Sequence, residues 1–78
     1  MKKIYTLNTE TTAQRILELR KEKGLSEAEL GALCGVTRSC INVYEKEKLK
    51  DFPVSKIIKL ANALETSPDY LLGWSNKR

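Results

Sequence analysis

Cys34 and Cys40 stand six positions apart in the stretch LCGVTRSC, on either side of Gly35, and two thiols so placed invite a metal or redox reading. Zinc takes about four ligands, usually Cys and His at defined spacing. The chain has two cysteines, no histidine and no CxxC pair, so no metal is expected. A thiol nucleophile wants a neighbouring base, and the usual one, histidine, is missing. There is no glycine-rich phosphate loop and no acid pair with a plausible pocket, so no enzyme and no cofactor are expected. A disulfide is not expected either, because Cys34 projects inward at the end of one helix while Cys40 lies a turn into the next. Cys34 reads as a small core residue. Cys40 lies near the outer face of its helix, and its role stays open.

With 78 residues the chain makes one small domain with a thin core, too short for separate catalytic and substrate units. Hydrophobic residues are 41% and charged residues 31%, a globular rather than a disordered composition. No apolar run reaches the ~18 residues a membrane helix needs. The start, MKKIYTLNTE, has two lysines but no apolar stretch and does not read as a signal peptide. A cytoplasmic protein with reduced thiols is expected. Net charge is +4, a sign that suits a polyanionic partner. It is uneven: residues 1–25 balance at +3, 26–52 at −1 and 53–78 at +2.

The elements that would carry any binding surface are helical. Residues 1–10 form an N-terminal arm without helical period, and the alternation in KIYTL fits a short strand, an ordered arm or a tail equally. Thr11 is expected to open the first helix, with Gln14 three residues on as in a capping box, and Ile16, Leu17 and Leu19 facing inward. Gly24 ends it. Ser26 opens the second helix, with Glu29 completing a capping box and Leu30, Leu33 and Cys34 on the inner side. Gly35 stops that helix in the left-handed conformation a sharp exit needs. Thr37 caps the third, spanning 37–48, with Ile41 and Tyr44 inward. The stretch KEKLKD from Lys46 to Asp51 is a solvated exit loop. Pro53 prepares a fourth helix with Val54, Ile57, Ile58, Ala61 and Leu64 at helical spacing. Ser67, Pro68 and Asp69 supply cap, first-turn proline and first-turn acid for a short fifth helix from Pro68 to Leu72. Residues 74–78 form a brief basic tail.

Two helices joined by a few residues containing glycine make a helix-turn-helix. The stretch ELRKEKGLSEAELGALCGVTRSCINVYEK resembles that motif in the phage-repressor and Cro-like family, often called the XRE family. The family pattern wants apolar residues where Leu30, Cys34, Val36, Ile41 and Tyr44 stand, a small residue at Gly31 where the helices approach, and glycine at Gly35 in the turn. The flanks LRKEKGLS and KIIKLANALETSPDYLLG resemble the family's first, fourth and fifth helices. The resemblance implies a compact, all-α, five-helix lambda-repressor-like domain over residues 11–73. Leucine at Gly31 is expected to wedge the helices apart and alanine to be mild or even stabilising.

The resemblance further implies a DNA-binding transcriptional regulator of repressor type, with the third helix in the major groove. Positions matching the family's reading residues are Thr37, Arg38, Ser39, Asn42 and Val43. Arg38 suits guanine O6 and N7, Asn42 suits adenine, and Val43 suits a thymine methyl. Phosphate contacts are expected from Ser26, Glu27, Lys46, Lys48 and Lys50. The family usually has glutamine at Glu27, and a carboxylate there repels phosphate unless a lysine or arginine pairs with it. Glycine is usual at Glu47, and the loop before Pro53 looks about two residues longer. Arg20 and Glu45 match positions that pair between the first and third helices. Leu72 and Trp74 match the surface through which family members form homodimers. The expected partners are double-stranded DNA and a second copy, with no membrane and no small-molecule ligand. A protein-binding adaptor or antitoxin-like module on the same scaffold is the alternative, favoured by the near-neutral motif, Glu27 and Val43.

Overall fold

The structure, a computed structural model, describes residues 8–46 and 52–78. Through them run α1 (Thr9–Glu22), α2 (Glu27–Cys34), α3 (Arg38–Glu45), α4 (Val54–Ala63) and α5 (Pro68–Leu71), with no strand among the described residues. The all-α, five-helix expectation holds. None of these helices is long and apolar enough to cross a membrane.

Three helix ends differ from those read off the sequence. α1 begins at Thr9 rather than Thr11, because Asn8 is the cap: its Oδ1 accepts from the Thr11 amide at 3.1 Å. Asparagine is at least as good a cap as threonine, and Glu10 then sits in the first turn, where the helix dipole favours an acid. Gln14 donates instead to Glu18, one turn on, at 2.8 Å. Of the expected arm, Asn8, Thr9 and Glu10 therefore belong to the start of α1, and residues 1–7 lie outside the described residues. α3 stops at Glu45 instead of running to 48, with the Lys46 amide closing the turn on the carbonyls of Asn42 and Val43. α5 stops at Leu71, and Leu72 is its C-cap. The rest of the exit loop, residues 47–51, lies outside the described residues.

The core joins Ile16 and Leu19 of α1, Leu30 and Cys34 of α2, Ile41 and Tyr44 of α3, Ile57, Leu60 and Ala61 of α4, and Leu71 of α5. Leu33 is not part of it and is 61% exposed. The buried arc of α2 is centred between Leu30, Gly31 and Cys34, and Leu33 lies about 110° from that centre at ~100° per residue. On α4, Val54 and Ile58 continue the apolar spacing but face outward, at 73% and 47% exposure. Cys40 is half-buried against the core rather than on the outer face, and both thiols are free.

The turn between α2 and α3 depends on two glycines. Gly35 sits at φ 69°, left-handed, so that the Val36 amide reaches back to the Gly31 carbonyl at 2.9 Å. A Cβ on Gly31 would lie 2.7 Å from the Val36 carbonyl oxygen and 3.2 Å from Thr37 backbone atoms. Backbone cannot swing aside as a side chain can, so the expectation that alanine is harmless there is corrected: only glycine fits.

Candidate nucleic-acid interface

α3 is anchored before it is exposed. Thr37 Oγ1 accepts from the Cys40 amide at 3.1 Å and fixes the helix start. Ile41 and Tyr44 then press into the core, and the Tyr44 ring meets Phe52 at 5.3 Å between centroids, tilted by 58°. Burial, with the neighbouring Cys40 thiol, pushes the Tyr44 phenol up to about 12. Glu45 closes the helix with a two-pronged pair: Arg20 Nε donates to Oε2 at 2.6 Å and Nη2 to Oε1 at 3.0 Å. Arg20 Nη1 also donates to the Leu25 carbonyl at 2.8 Å, so one guanidinium ties α1, the α1–α2 loop and the end of α3 together. The two side chains are 14% and 5% exposed. The bond to Glu45 raises the Arg20 pKa further above its ordinary value.

The other face of α3 carries Arg38, Ser39, Asn42 and Val43 around an open concavity of about 300 Å³. Arg38 is 74% exposed, Thr37 and Ser39 are exposed, and Asn42 and Val43 are half-buried. Glu27, first residue of α2, turns its carboxylate toward this group. Asn42 Nδ2 donates to Glu27 Oε2 at 3.1 Å, and Arg38 Nε stands 3.8 Å from Oε1. The acid thus pairs with an arginine from the helix beside it. Ser26 forms the capping box read from the sequence: its Oγ accepts from the Glu29 amide at 3.0 Å, and its own amide donates to Glu29 Oε1 at 2.9 Å. That bonding lowers the Glu29 pKa. The Ser26 hydroxyl hydrogen is left to donate outward. Lys46 is exposed at the end of α3, whereas Lys48 and Lys50 lie outside the described residues. Among the described residues no group of three His, Cys, Asp or Glu could hold a metal ion.

Val54, Ile57 and Ile58 of α4, with Phe52 before it, line an apolar groove of about 390 Å³ together with Pro68 and Asp69 of α5 and Leu72 and Trp74 after it. Leu72 is half-buried against the core, and Trp74 is 45% exposed. Arg15 of α1 ties down the residues around the end of α5. Its Nη1 donates to the carbonyls of Tyr70 and, at 2.8 Å, Ser75, and its guanidinium lies 4.1 Å over the Tyr70 ring. Arg78 pairs with Glu22 at 2.6 Å, so the tail is fastened to α1 at two points. Two of these acceptors are backbone carbonyls, which no side-chain pattern reveals.

A helix-turn-helix family model matches residues 16–71. Repressor protein C2 of Salmonella phage P22 is 33% identical over 66 residues, which are 85% of this chain and 30% of that protein. An uncharacterized HTH-type transcriptional regulator of Bacillus subtilis, YobD, is 37% identical over 60 residues, 77% of this chain and 53% of that protein. The chain thus spans about a third to a half of these relatives. The crystal structure of the P22 c2 repressor in complex with a synthetic operator superposes with a TM-score of 0.75 at 31% identity, over 82% of this chain and 96% of that one. SinR from Bacillus subtilis, a master regulator for biofilm formation, was solved in complex with DNA and superposes at 0.74 and 33% identity, over 78% and 97%.

Proposed function

The chain belongs to the XRE-type helix-turn-helix family, and from that membership we propose that it binds double-stranded DNA in a sequence-specific way as a transcriptional regulator, in the manner of a cytoplasmic repressor. The observation that carries this reading is the polar outer face of α3, held out by a core and an ion pair on its inner face. A helix fixed on one side and hydrogen-bonding on the other fits the ~12 Å major groove. In this reading Thr37, Arg38, Ser39, Asn42 and Val43 meet base edges. Ser26 and the backbone amides at the helix starts meet phosphate, joined by Lys46, Lys48 and Lys50. The chain is a reader with no catalytic role, and it binds as a homodimer through the groove that Leu72 and Trp74 help to line.

The test is selection of bound duplexes from a random pool, followed by salt titration on the enriched site and on random DNA. A reader enriches one motif and binds random duplex weakly, with affinity falling steeply as salt rises. An adaptor enriches nothing and binds random DNA hardly at all, which would turn the assignment toward a protein partner.

A further inference from the structure

We propose that Glu27 is a specificity-positioning residue: its carboxylate sets which hydrogen-bonding end of Asn42 faces the DNA. The inference rests on the DNA-reading function above and deepens it. An asparagine amide has an acceptor end and a donor end, and a half-turn about its last torsion exchanges them. An exposed asparagine can therefore present either polarity to a base. Asn42 is not free in this way, because an ionised carboxylate only accepts. Only Nδ2 can face it, as the 3.1 Å bond to Oε2 records, and Oδ1 is then turned away from Glu27.

The consequence is a stated base chemistry. An outward Oδ1 seeks a donor, and in the major groove the donors are the exocyclic amino groups of adenine N6 and cytosine N4. Guanine offers two acceptors at that edge and thymine one, so both meet Oδ1 with like polarity. The same acid lies 3.8 Å from Arg38 Nε and draws that edge of the guanidinium inward, leaving the two terminal amines for an acceptor pair such as guanine O6 and N7. One carboxylate thus gives its two neighbours opposite polarity, acceptor at Asn42 and donor at Arg38. Glu27 is suited to hold rather than to be bound. Its side chain is only 17% exposed, it stands in the first turn of α2 where the helix dipole favours a negative charge, and its sign excludes a phosphate as its own ligand.

The test uses the full chain, with Glu27→Gln, Glu27→Ala and Asn42→Ala, on the duplex that the wild type selects and on its single-base-pair substitutions. Glutamine keeps the size and the helix but offers either polarity, so Glu27→Gln should keep the melting temperature while relaxing the preference at one base pair. Discrimination for an amino-bearing base should fall there by about fivefold or more. Glu27→Ala should relax the same base pair, and adding Asn42→Ala to it should cause no further loss at that position. In the free protein the Asn42 side-chain amide protons should exchange more slowly in the wild type than in Glu27→Ala. If both Glu27 variants tighten binding by one factor on every duplex, with preferences and amide exchange unchanged, the acid acts only as a charge and the proposal fails. If the wild type enriches no sequence at all, the DNA-reading function fails and takes this inference with it. An enriched site whose base preferences survive in both variants overturns this inference alone.

Discussion

Gly31 shows how much one hydrogen atom can decide. Alanine is a better helix former than glycine by about 1 kcal/mol, and by that rule alone Gly31→Ala should stabilise α2. The methyl would instead press on the Val36 carbonyl at 2.7 Å, in the tightest part of the turn. Steric strain of this kind costs roughly 1–3 kcal/mol, so the net effect should be a loss of stability, visible as a lower urea midpoint with unchanged slope. A midpoint equal to or above that of the parent would mean the helices can move apart freely. Arg38 stands at the opposite extreme, with most of its surface in solvent, and in the proposed reading it serves DNA binding rather than the fold. Arg38→Ala should leave the melting temperature nearly unchanged. It should weaken the selected site by roughly 1–3 kcal/mol and relax preference at one base pair. Equal weakening on every duplex would reassign it to the phosphates.

At the scale of the element, α3 is eight residues long and would not persist alone. Its order comes from what it packs on. Among the described residues, Arg20 and Glu45 supply the one ion pair between α1 and α3, and it is largely out of water. Removing the charge from one member leaves the other buried without compensation, and Glu45→Gln should cost roughly 3 kcal/mol, read from chemical denaturation. A loss under about 1 kcal/mol is what an exposed pair would show, and would mean the pair is solvated. Tyr44 makes the same element sensitive to alkali. Its phenol ionises near 10 in an unfolded chain and only at about 12 when folded, so its stabilising contribution is complete below 10 and disappears as pH climbs toward 12. Burial raises the Cys34 thiol too, which adds a loss that begins somewhat lower. Tyr44→Phe should flatten the upper part of the stability profile while leaving the Cys34 part. An identical profile in the variant would place the alkaline loss elsewhere.

For the whole molecule, the proposed function gives the polar face of α3 and the apolar groove beside α4 and α5 different partners. One helix reads only a few base pairs, and a single small module seldom competes against genomic DNA. Val54, Ile58 and Trp74 expose apolar surface in one patch, which suits a second copy better than water. Two-fold pairing would set the recognition helices about 34 Å apart and demand a palindromic site. Sedimentation with the selected duplex should give two chains per site, and Trp74→Ala or Leu72→Ala should return it toward one. Arg15 should matter here as well, since it holds the carbonyls on either side of Trp74. A 1:1 complex on an asymmetric site, indifferent to both substitutions, would remove the dimer.

Most helix ends were legible in the sequence because capping is local chemistry. Ser26 with Glu29, Thr37, Pro53, and Ser67 before Pro68 act within one turn of where they stand. The start of α1 was misplaced because Asn8 and Thr11 compete for the same role and only the chain path chooses. The helix-turn-helix was legible because a tight turn demands glycine and a close approach demands no side chain. Apart from the Arg20–Glu45 pair, which the family resemblance implies, the relations between residues far apart in the chain were decided by the tertiary structure alone. Leu33 and Ile58 look like core residues by spacing, yet among the described residues no element covers them, and they stay 61% and 47% exposed. Arg15 looks like a surface cation, yet its acceptors are carbonyls 55 and 60 residues away. Glu27 and Asn42 are 15 apart and belong to different helices, so their hydrogen bond exists only once the turn has brought α2 and α3 together. Periodicity reports which face a residue shares with its neighbours, and it carries no information on what, if anything, comes to cover that face.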